Sequence, residues 1–331
     1  MLSIVRNLLS CRNSSIAKTA IMAFLLFSSL PVLCAFSAEP FAQELTPQSD
    51  LPWWVWPLIL FVVTFLLGIV AVLGGVGGGV LYVPIVGGFL PFHLDFVRGA
   101  GLLVALAGAL AAGPGLLRKG MADIRLALPV ALIASTSAIV GALVGLALPT
   151  NVIQTALGVS ILGIVAIMVM ARKSEFPDVK RSDPLSTALR IHGIYHEVST
   201  GHTVQWKIHR TPQGLALFVL IGIMAGMFGL GAGWANVPVL NLLMGAPLKV
   251  SVSTSKFLLS ITDASAAWIY INGGAVLPLM VVPSIVGIML GSMVGVRILA
   301  RTKPAAIRLI VIVLLFFAGS RALLKGLGIW N

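Results

Sequence analysis

The sequence predicts an all-α polytopic membrane protein with two inverted-topology repeats, whose glycine-interrupted or re-entrant helices meet near the bilayer midplane. Three features predict it. The chain is 58% hydrophobic and 10% charged, with a mean hydropathy of +1.05. Soluble domains carry roughly a quarter charged residues, and apolar stretches of about 18 or more need a bilayer. Gly68 to Gly141 aligns without a gap on Gly222 to Gly295, a constant offset of 154 (222 − 68). Loop charges, finally, put equivalent turns of the two copies on opposite sides of the membrane.

Each copy centres on a glycine cluster, GGVGGGVLYVP at Gly74–Pro84 and FGLGAGWANVP at Phe228–Pro238. Under the offset, Gly75, Gly77, Gly79, Val83 and Pro84 fall on Gly229, Gly231, Gly233, Val237 and Pro238, and Gly120 and Pro129 on Gly274 and Pro283. Glycine interruptions at corresponding points of two hydrophobic halves point to the binding site of a secondary transporter.

At the N-terminus, Arg6, Arg12 and Lys18 precede an apolar stretch over 20–33 and the small residues Ala35, Ser37 and Ala38. Residues 1–38 thus have the layout of a secretory signal. Cleavage and retention as a signal anchor both remain open, and both put the following external segment, 39–52, outside. The first transmembrane repeat is expected over 53–172, with helices at 53–73, 79–92, 98–117, 122–148 and 151–171. The second is expected over 214–327, with helices at 214–231, 234–246, 253–271, 276–299 and 305–325. The second helix of each half is short: at 1.5 Å per residue it spans about 20 Å, less than a bilayer core. It reads as a half-helix or the arm of a re-entrant hairpin, tolerated where protein or a water-filled cavity covers its backbone.

Arg118, Lys119 and Arg125 flank the Gly120 turn and make it cytoplasmic, whereas the equivalent Asn272–Gly274 turn has no Lys or Arg. Conversely, the Pro149–Asn151 turn is uncharged, and its counterpart at Arg301–Pro304 is basic. Equivalent turns change side, so the repeats are inverted. The interval 173–213 carries Lys173, Lys180, Arg181, Arg190, Lys207 and Arg210 and is expected inside. Alternation over Ile191–Arg210 suggests a β-hairpin. It holds His192, His196, His202 and His209, which would form a metal site only if the hairpin gathered them. A docking or regulatory flap is the preferred role, and no metal or other cofactor is expected.

Glycine lets the backbone take φ > 0 and approach a ligand closely, so both clusters can present bare amides to an anion. The expected binding residues are Gly75, Gly77, Gly78, Gly79, Gly229, Gly231, Gly233, Trp234 and Asn236. The bland alternative is close helix packing. On Ser251–Ile271, Ser253, Lys256, Ser260 and Asp263 fall within an arc of about 80° at 100° per residue, one polar stripe on an apolar helix. Ser253, Thr254, Ser255 and Lys256 join the expected substrate site, and Asp263 is the expected carrier of a coupling proton, since an intramembrane ionisable residue is costly to keep in lipid. Against this stand snorkelling of Lys256 to the interface and a structural hydrogen bond for Asp263.

Other classes lack support. No Gly-Lys-Ser/Thr follows either cluster, which excludes a Walker-type phosphate loop. No basic run interleaved with aromatics marks a nucleic-acid surface. Cys11 and Cys34 both precede the core. Asp95, Asp123 and Asp263 are scattered, so no catalytic cluster is expected and the protein is not read as an enzyme.

The paired clusters, the Thr254–Ser255 that follows the second, and the halves joined by a hydrophilic segment resemble the TauE/SafE family, the sulfite exporter or 4-toluene sulfonate uptake permease family. The likeness covers 53–325. After the first cluster the corresponding pair is Ala100–Gly101. The resemblance implies a multi-pass protein of the bacterial inner membrane, a secondary transporter and exporter of small sulfur-containing or organic anions such as sulfite, sulfonates or sulfoacetate. It implies coupling to an ion; the identity H+ rests on the Asp263 reading, not on the resemblance. An anion channel or passive membrane component is the alternative, with a membrane-embedded enzyme less favoured, and the partners expected are the anion and the lipid bilayer, with no nucleic acid. Oligomeric state is not encoded.

Overall fold

The computed structural model describes residues 54–74, 77–118, 122–170, 182–196, 203–299 and 304–329, together with Pro52 and Val179. The signal-like segment, the external segment up to residue 51, Gly75, the Gly120 turn and the Arg301 turn lie outside the described residues. The first half comprises α1 (Val55–Gly74), α2 (Gly78–Phe89), α3 (Leu94–Arg118), α4 (Ile124–Ala147) and α5 (Thr150–Met170). A linker follows with α6 (Pro184–Ala188), β1 (His192–His196) and β2 (Thr203–Lys207). The second half comprises α7 (Thr211–Phe228), α8 (Gly233–Pro238) running into a π-helical turn (Val239–Leu243), α9 (Leu248–Asn272), α10 (Pro278–Leu299) and α11 (Pro304–Gly326).

The sequence repeat is also a structural one. α3, α4 and α5 start at residues 94, 124 and 150, and α9, α10 and α11 at 248, 278 and 304, each pair 154 apart (248 − 94, 278 − 124, 304 − 150). Two of these helices begin earlier than expected from hydropathy, at Leu94 and Leu248, because polar first turns (Asp95 and Arg98; Lys249 and Ser251) mask their helical periodicity. Pro247, at φ −55° and ψ 146°, fixes the start of α9, as a proline before a first turn does. The segment expected as one short helix over 234–246 is instead α8 plus a π turn, closed by Met244 N–H to the Val239 carbonyl at 3.0 Å.

Helix directions establish the inversion. Gly158 of α5 faces Leu323 of α11, Ile161 faces Gly319, and Thr155 faces Gly326, so these equivalent helices run antiparallel. α3 and α9 do the same: Arg98 lies 5.7 Å from the Tyr270 ring, while Asp123, beyond the far end of α3, donates from its backbone amide to Thr254 Oγ1 at 3.2 Å. A two-fold that exchanges antiparallel partners must lie across them, which makes the repeats inverted rather than parallel. The halves also interlock. α1 packs in parallel against α10 (Phe65 against Gly291, Thr64 against Gly287), and α7 against α4 (Gly222 against Ala134, Gly226 against Ala138). A Cβ at Gly68 would lie 2.7 Å from the Ile288 carbonyl oxygen, and one at Gly222 would lie 2.5 Å from that of Ala134. Here the packing reading of glycine holds, with small residues spaced by four letting backbones touch.

Five helices, α3, α4, α5, α7 and α10, are long and apolar enough to cross a membrane over described residues. α9, which carries Lys249, Lys256 and Asp263, is not among them. Leu132, Val159, Phe316 and Phe317 face outward from the bundle, as a lipid-facing surface requires.

Two polar devices fix helix ends. Asp123 caps α4, its Oδ1 accepting from Leu126 N–H at 2.8 Å, which accounts for that acid without a functional role. Arg98 is almost fully buried. Its Nη1 donates to the carbonyls of Gly145 (3.1 Å) and Met227 (2.9 Å), at the C-terminal ends of α4 and α7, and its Nη2 pairs with Asp95. The Tyr270 hydroxyl donates to the carbonyls of Gly226 (3.0 Å) and Met227 (3.2 Å) at the same place. A guanidinium with a planar fork of donors suits two helix C-termini at once, where carbonyls and the negative dipole end concentrate. One side chain of the first repeat thereby ties together α3, α4, α7 and, through Tyr270, α9.

In the linker, β1 and β2 pair antiparallel from His192↔Lys207 to His196↔Thr203. Ile191, Trp206 and Ile208 are buried with Leu126, Leu240 and Met244, so the hairpin sits on the end of the π turn. His209 N–H donates to the Met244 carbonyl at 3.0 Å. Among the described residues no three histidines or carboxylates gather into a metal site; His202 lies outside them. Asp183 anchors this piece, accepting from Thr211 Oγ1 (2.8 Å) and Ser186 N–H (3.3 Å). Burial pushes its carboxyl up, but these hydrogen bonds outweigh it and hold the group below its ordinary value.

Removing the Arg98 fork in Arg98→Met leaves the Gly145 carbonyl unpaired, the Met227 carbonyl with Tyr270 as its remaining side-chain donor and Asp95 without its cation, and is expected to cost about 3 kcal/mol. Arg98→Lys, with one donor point, should recover only part of it, as thermal unfolding in detergent will show. Because the Asp183 carboxyl is depressed in the folded state, its contribution is complete above the unfolded value of about 3.9 and disappears as pH falls through the lower folded value. Amide exchange over 184–191 should therefore accelerate selectively below about pH 4 in the native protein, and Asp183→Asn should remove that dependence.

Candidate functional site

The broken segments of the two repeats meet. A Cβ built on Gly233 would lie 3.3 Å from both the N and Cα of Gly77, and one on Gly77 would lie 3.7 Å from Gly233 Cα. One on Gly79 would stand 2.7 Å from the Leu230 carbonyl oxygen and 2.9 Å from that of Gly101, and one on Gly101 would be 2.6 Å from the Gly229 carbonyl oxygen. Unwound backbone from both halves is thus covered by backbone, near the middle of α3 (Ala105) and α9 (Leu259, Asp263).

The two clusters do not have the same conformation. Gly77 precedes α2 in an extended conformation, at φ −65° and ψ 146°. Gly229 ends α7 at φ +68°, and Gly231 follows at φ +69°. These left-handed values are where a side chain is strained, and they turn the chain sharply between α7 and α8.

The second-repeat turn gathers the polar atoms. Asp263 is fully buried, and neither of its carboxylate oxygens has a hydrogen-bond partner. A Cβ on Gly231 would lie 2.9 Å from Asp263 Oδ2, so only glycine leaves the carboxylate its place. The Ala232 backbone amide approaches the same group as a weak donor without reaching full hydrogen-bond geometry, and the half-buried Lys256 acts on it electrostatically without closing a direct ion pair. Trp234 Nε1, Asn236 Oδ1 and Thr262 Oγ1 are also buried without partners. A buried polar group left unpaired costs about 1–3 kcal/mol, and these groups lie on the two segments that form the second-repeat interruption, α8 and α9.

Several expected residues have other positions. Gly78 faces the Ile288 side chain of α10, at 3.1 Å from a built Cβ, and is a packing residue. Thr254 accepts from Asp123 N–H at the start of α4. Ser253 and Ser255 are buried on α9, two or more turns before Asp263. Ser260 donates to its own helix, to the Phe257 carbonyl at 2.7 Å. Beyond the expected residues, Asn241 of the π turn donates from Nδ2 to the Ala246 carbonyl at 2.8 Å. The residues brought together are therefore Gly77, Gly79, Gly229, Gly231, Gly233, Trp234, Asn236 and Asp263, with Lys256 two turns away. Sequence reasoning missed Thr262 and Arg98. The spacing of Asp95 and Arg98, three apart at a helix start, was a legible sign of an ion pair, but its helix-end partners were not.

Comparison with known proteins agrees with this architecture. The sulfite exporter TauE/SafE family model matches residues 60–322. The chain is 22% identical over 277 residues to the probable membrane transporter protein YunE of Bacillus subtilis, covering 82% of this chain and 98% of that one. No solved structure matches.

Gly231→Val would drive a branched side chain into Asp263 and Ala105 and is expected to abolish substrate binding in calorimetry on the purified protein. Gly163→Ala on α5, where a Cβ meets nothing within 4 Å, should leave binding unchanged.

Proposed function

We propose, from the premise that the chain belongs to the sulfite exporter TauE/SafE family, that this multi-pass cell-membrane transporter is a secondary carrier of small sulfur-containing or organic anions such as sulfite, sulfonates or sulfoacetate. One observation carries the reading. A fully buried, unpartnered carboxylate lies against a left-handed glycine turn where the two inverted repeats meet. Backbone amides at 230–233, the Trp234 indole N–H and the Lys256 ammonium supply donors and positive charge for an anion. Asp263 supplies a group that takes up a proton. A donor set on discontinuous helices, beside a titratable group, is the arrangement of an ion-coupled carrier. With the 173–213 linker inside, as its basic residues favour, the flap sits on the cytoplasmic end of the second-repeat arm. Net efflux follows where the anion is more concentrated inside than the coupled gradients can hold.

Flux into proteoliposomes tests it, with sulfite, sulfate, thiosulfate, taurine, sulfoacetate and a simple carboxylate as the panel. Uptake of at least one sulfur oxyanion or sulfonate should saturate, show counterflow and respond to an imposed pH gradient, and Lys256→Ala should slow it without preventing membrane insertion. Flux linear in concentration with no counterflow would mean a channel.

A further inference from the structure

The second glycine turn already holds a negative group of the protein's own. Gly231 at φ +69° is followed by Ala232 at φ −85° and ψ 0°. That alternation points successive backbone N–H groups the same way and forms a cup for an anion. The position of Asp263 Oδ2 against Gly231 and the action of the Ala232 amide on this carboxylate place it at the mouth of that cup. Its oxygens complete no hydrogen bond there, so the carboxylate fills the space without saturating the donors.

We propose that Asp263 is a tethered occupant of the anion cup: its ionised carboxylate and the transported anion exclude each other, and protonation of Asp263 is what admits the anion. This rests on the anion-carrier reading above. A proton from solvent goes to a carboxyl oxygen of Asp263, the neutral acid leaves the amides, and an oxygen of the anion accepts their N–H groups. The charge count of the site is the same in both states. Lys256 balances either ionised Asp263 or the bound anion, so neither state leaves it unpaired, the costly condition for a buried charge. α8 and the glycine turn carry no titratable group. On α3 and α9 the others are Asp95, Arg98 and Tyr270 at one end and Arg118 and Lys249 at the other, and on α4 they are Asp123 and Arg125 at its start. Asp263 and Lys256 are thus the groups whose charge meets the anion directly. One proton enters with one anion, the pair moves together, and direction follows the sum of both gradients.

The test uses the full-length purified protein and methanesulfonate, whose charge is constant across the range. Isothermal titration in two buffers of different ionisation enthalpy should report one proton taken up per anion bound by the wild type. Its affinity should fall towards tenfold per pH unit as pH rises from about 6 to about 8. Asp263→Asn, a permanent mimic of the protonated acid, should bind without proton uptake, with an affinity independent of pH, and at pH 8 about tenfold or more tighter than the wild type. In liposomes it should exchange anion for anion but lose accumulation driven by a pH gradient. Wild-type binding with no proton uptake, or the same pH slope in Asp263→Asn, overturns the exclusion while leaving the anion reading intact. If neither protein binds methanesulfonate or any sulfur oxyanion of the flux panel, the anion reading fails and the exclusion with it. The buffer comparison needs only the wild type, so it decides the matter even if the variant does not fold.

Discussion

Backbone amides and carbonyls cannot be left bare in hydrocarbon, and this constraint organises the molecule. The chain interrupts its helices in the middle of each half, which frees backbone groups where no water is guaranteed. It meets the constraint by folding each interruption against the other. The Gly77–Gly79 segment, Gly101 and the Gly229–Gly233 segment approach so closely that a methyl group at Gly79, Gly101 or Gly229 would collide with a carbonyl oxygen, and one at Gly233 would press on the Gly77 backbone. Such contact needs backbones without side chains on both sides, so one glycine cluster is of little use without its duplicate. The interlocked pairs, α1 with α10 and α7 with α4, hold the two interruptions in register.

A second consequence is asymmetry within the pseudo-symmetric frame. The first cluster packs, with Gly78 against Ile288 and Gly79 against Leu230 and Gly101. The second turns through left-handed values and faces Asp263. The polar side chains follow the same division. Position 263 corresponds to Ala109, and position 256 to Leu102, in the first repeat. In the reverse sense, Arg98 corresponds to Val252, so the guanidinium that joins two helix C-termini has no equivalent at the other end of the two-fold. There the linker supplies contacts instead, with Trp206, Ile208 and His209 set on the end of the π turn. Opposite ends of the bundle are therefore held by different chemistry, one by an ion pair and carbonyl bonds, the other by an apolar docked hairpin. Under the proposed carrier mechanism each end opens in turn, and different closures would let the two openings respond to different conditions.

The membrane class and the duplication could be read from the chain, because bilayer thickness sets helix length and an ungapped repeat survives as a constant offset. Even the structural starts of α3, α4 and α5 reappear 154 residues later. Helix starts at Leu94 and Leu248 were harder to read, since charged first turns mimic loops. The sequence also marked Asp263 and the glycines as a group, since charge inside an apolar helix and glycine runs inside apolar sequence are costly without a purpose.

Which glycine does what was decided only by tertiary structure. Gly68, Gly141 and Gly222 carry the same letter as Gly231, but whether a glycine serves close packing or a left-handed turn depends on what lies across from it, often more than a hundred residues away in the chain. The same holds for Thr254, which reads as a binding hydroxyl and instead bonds Asp123, and for Arg98, whose carbonyl partners Gly145 and Met227 are 47 and 129 positions distant. Periodicity and composition are local sums and survive in one dimension. The pairing of donors with acceptors, and of an acid with a left-handed glycine turn, exists only once the two halves have closed on each other.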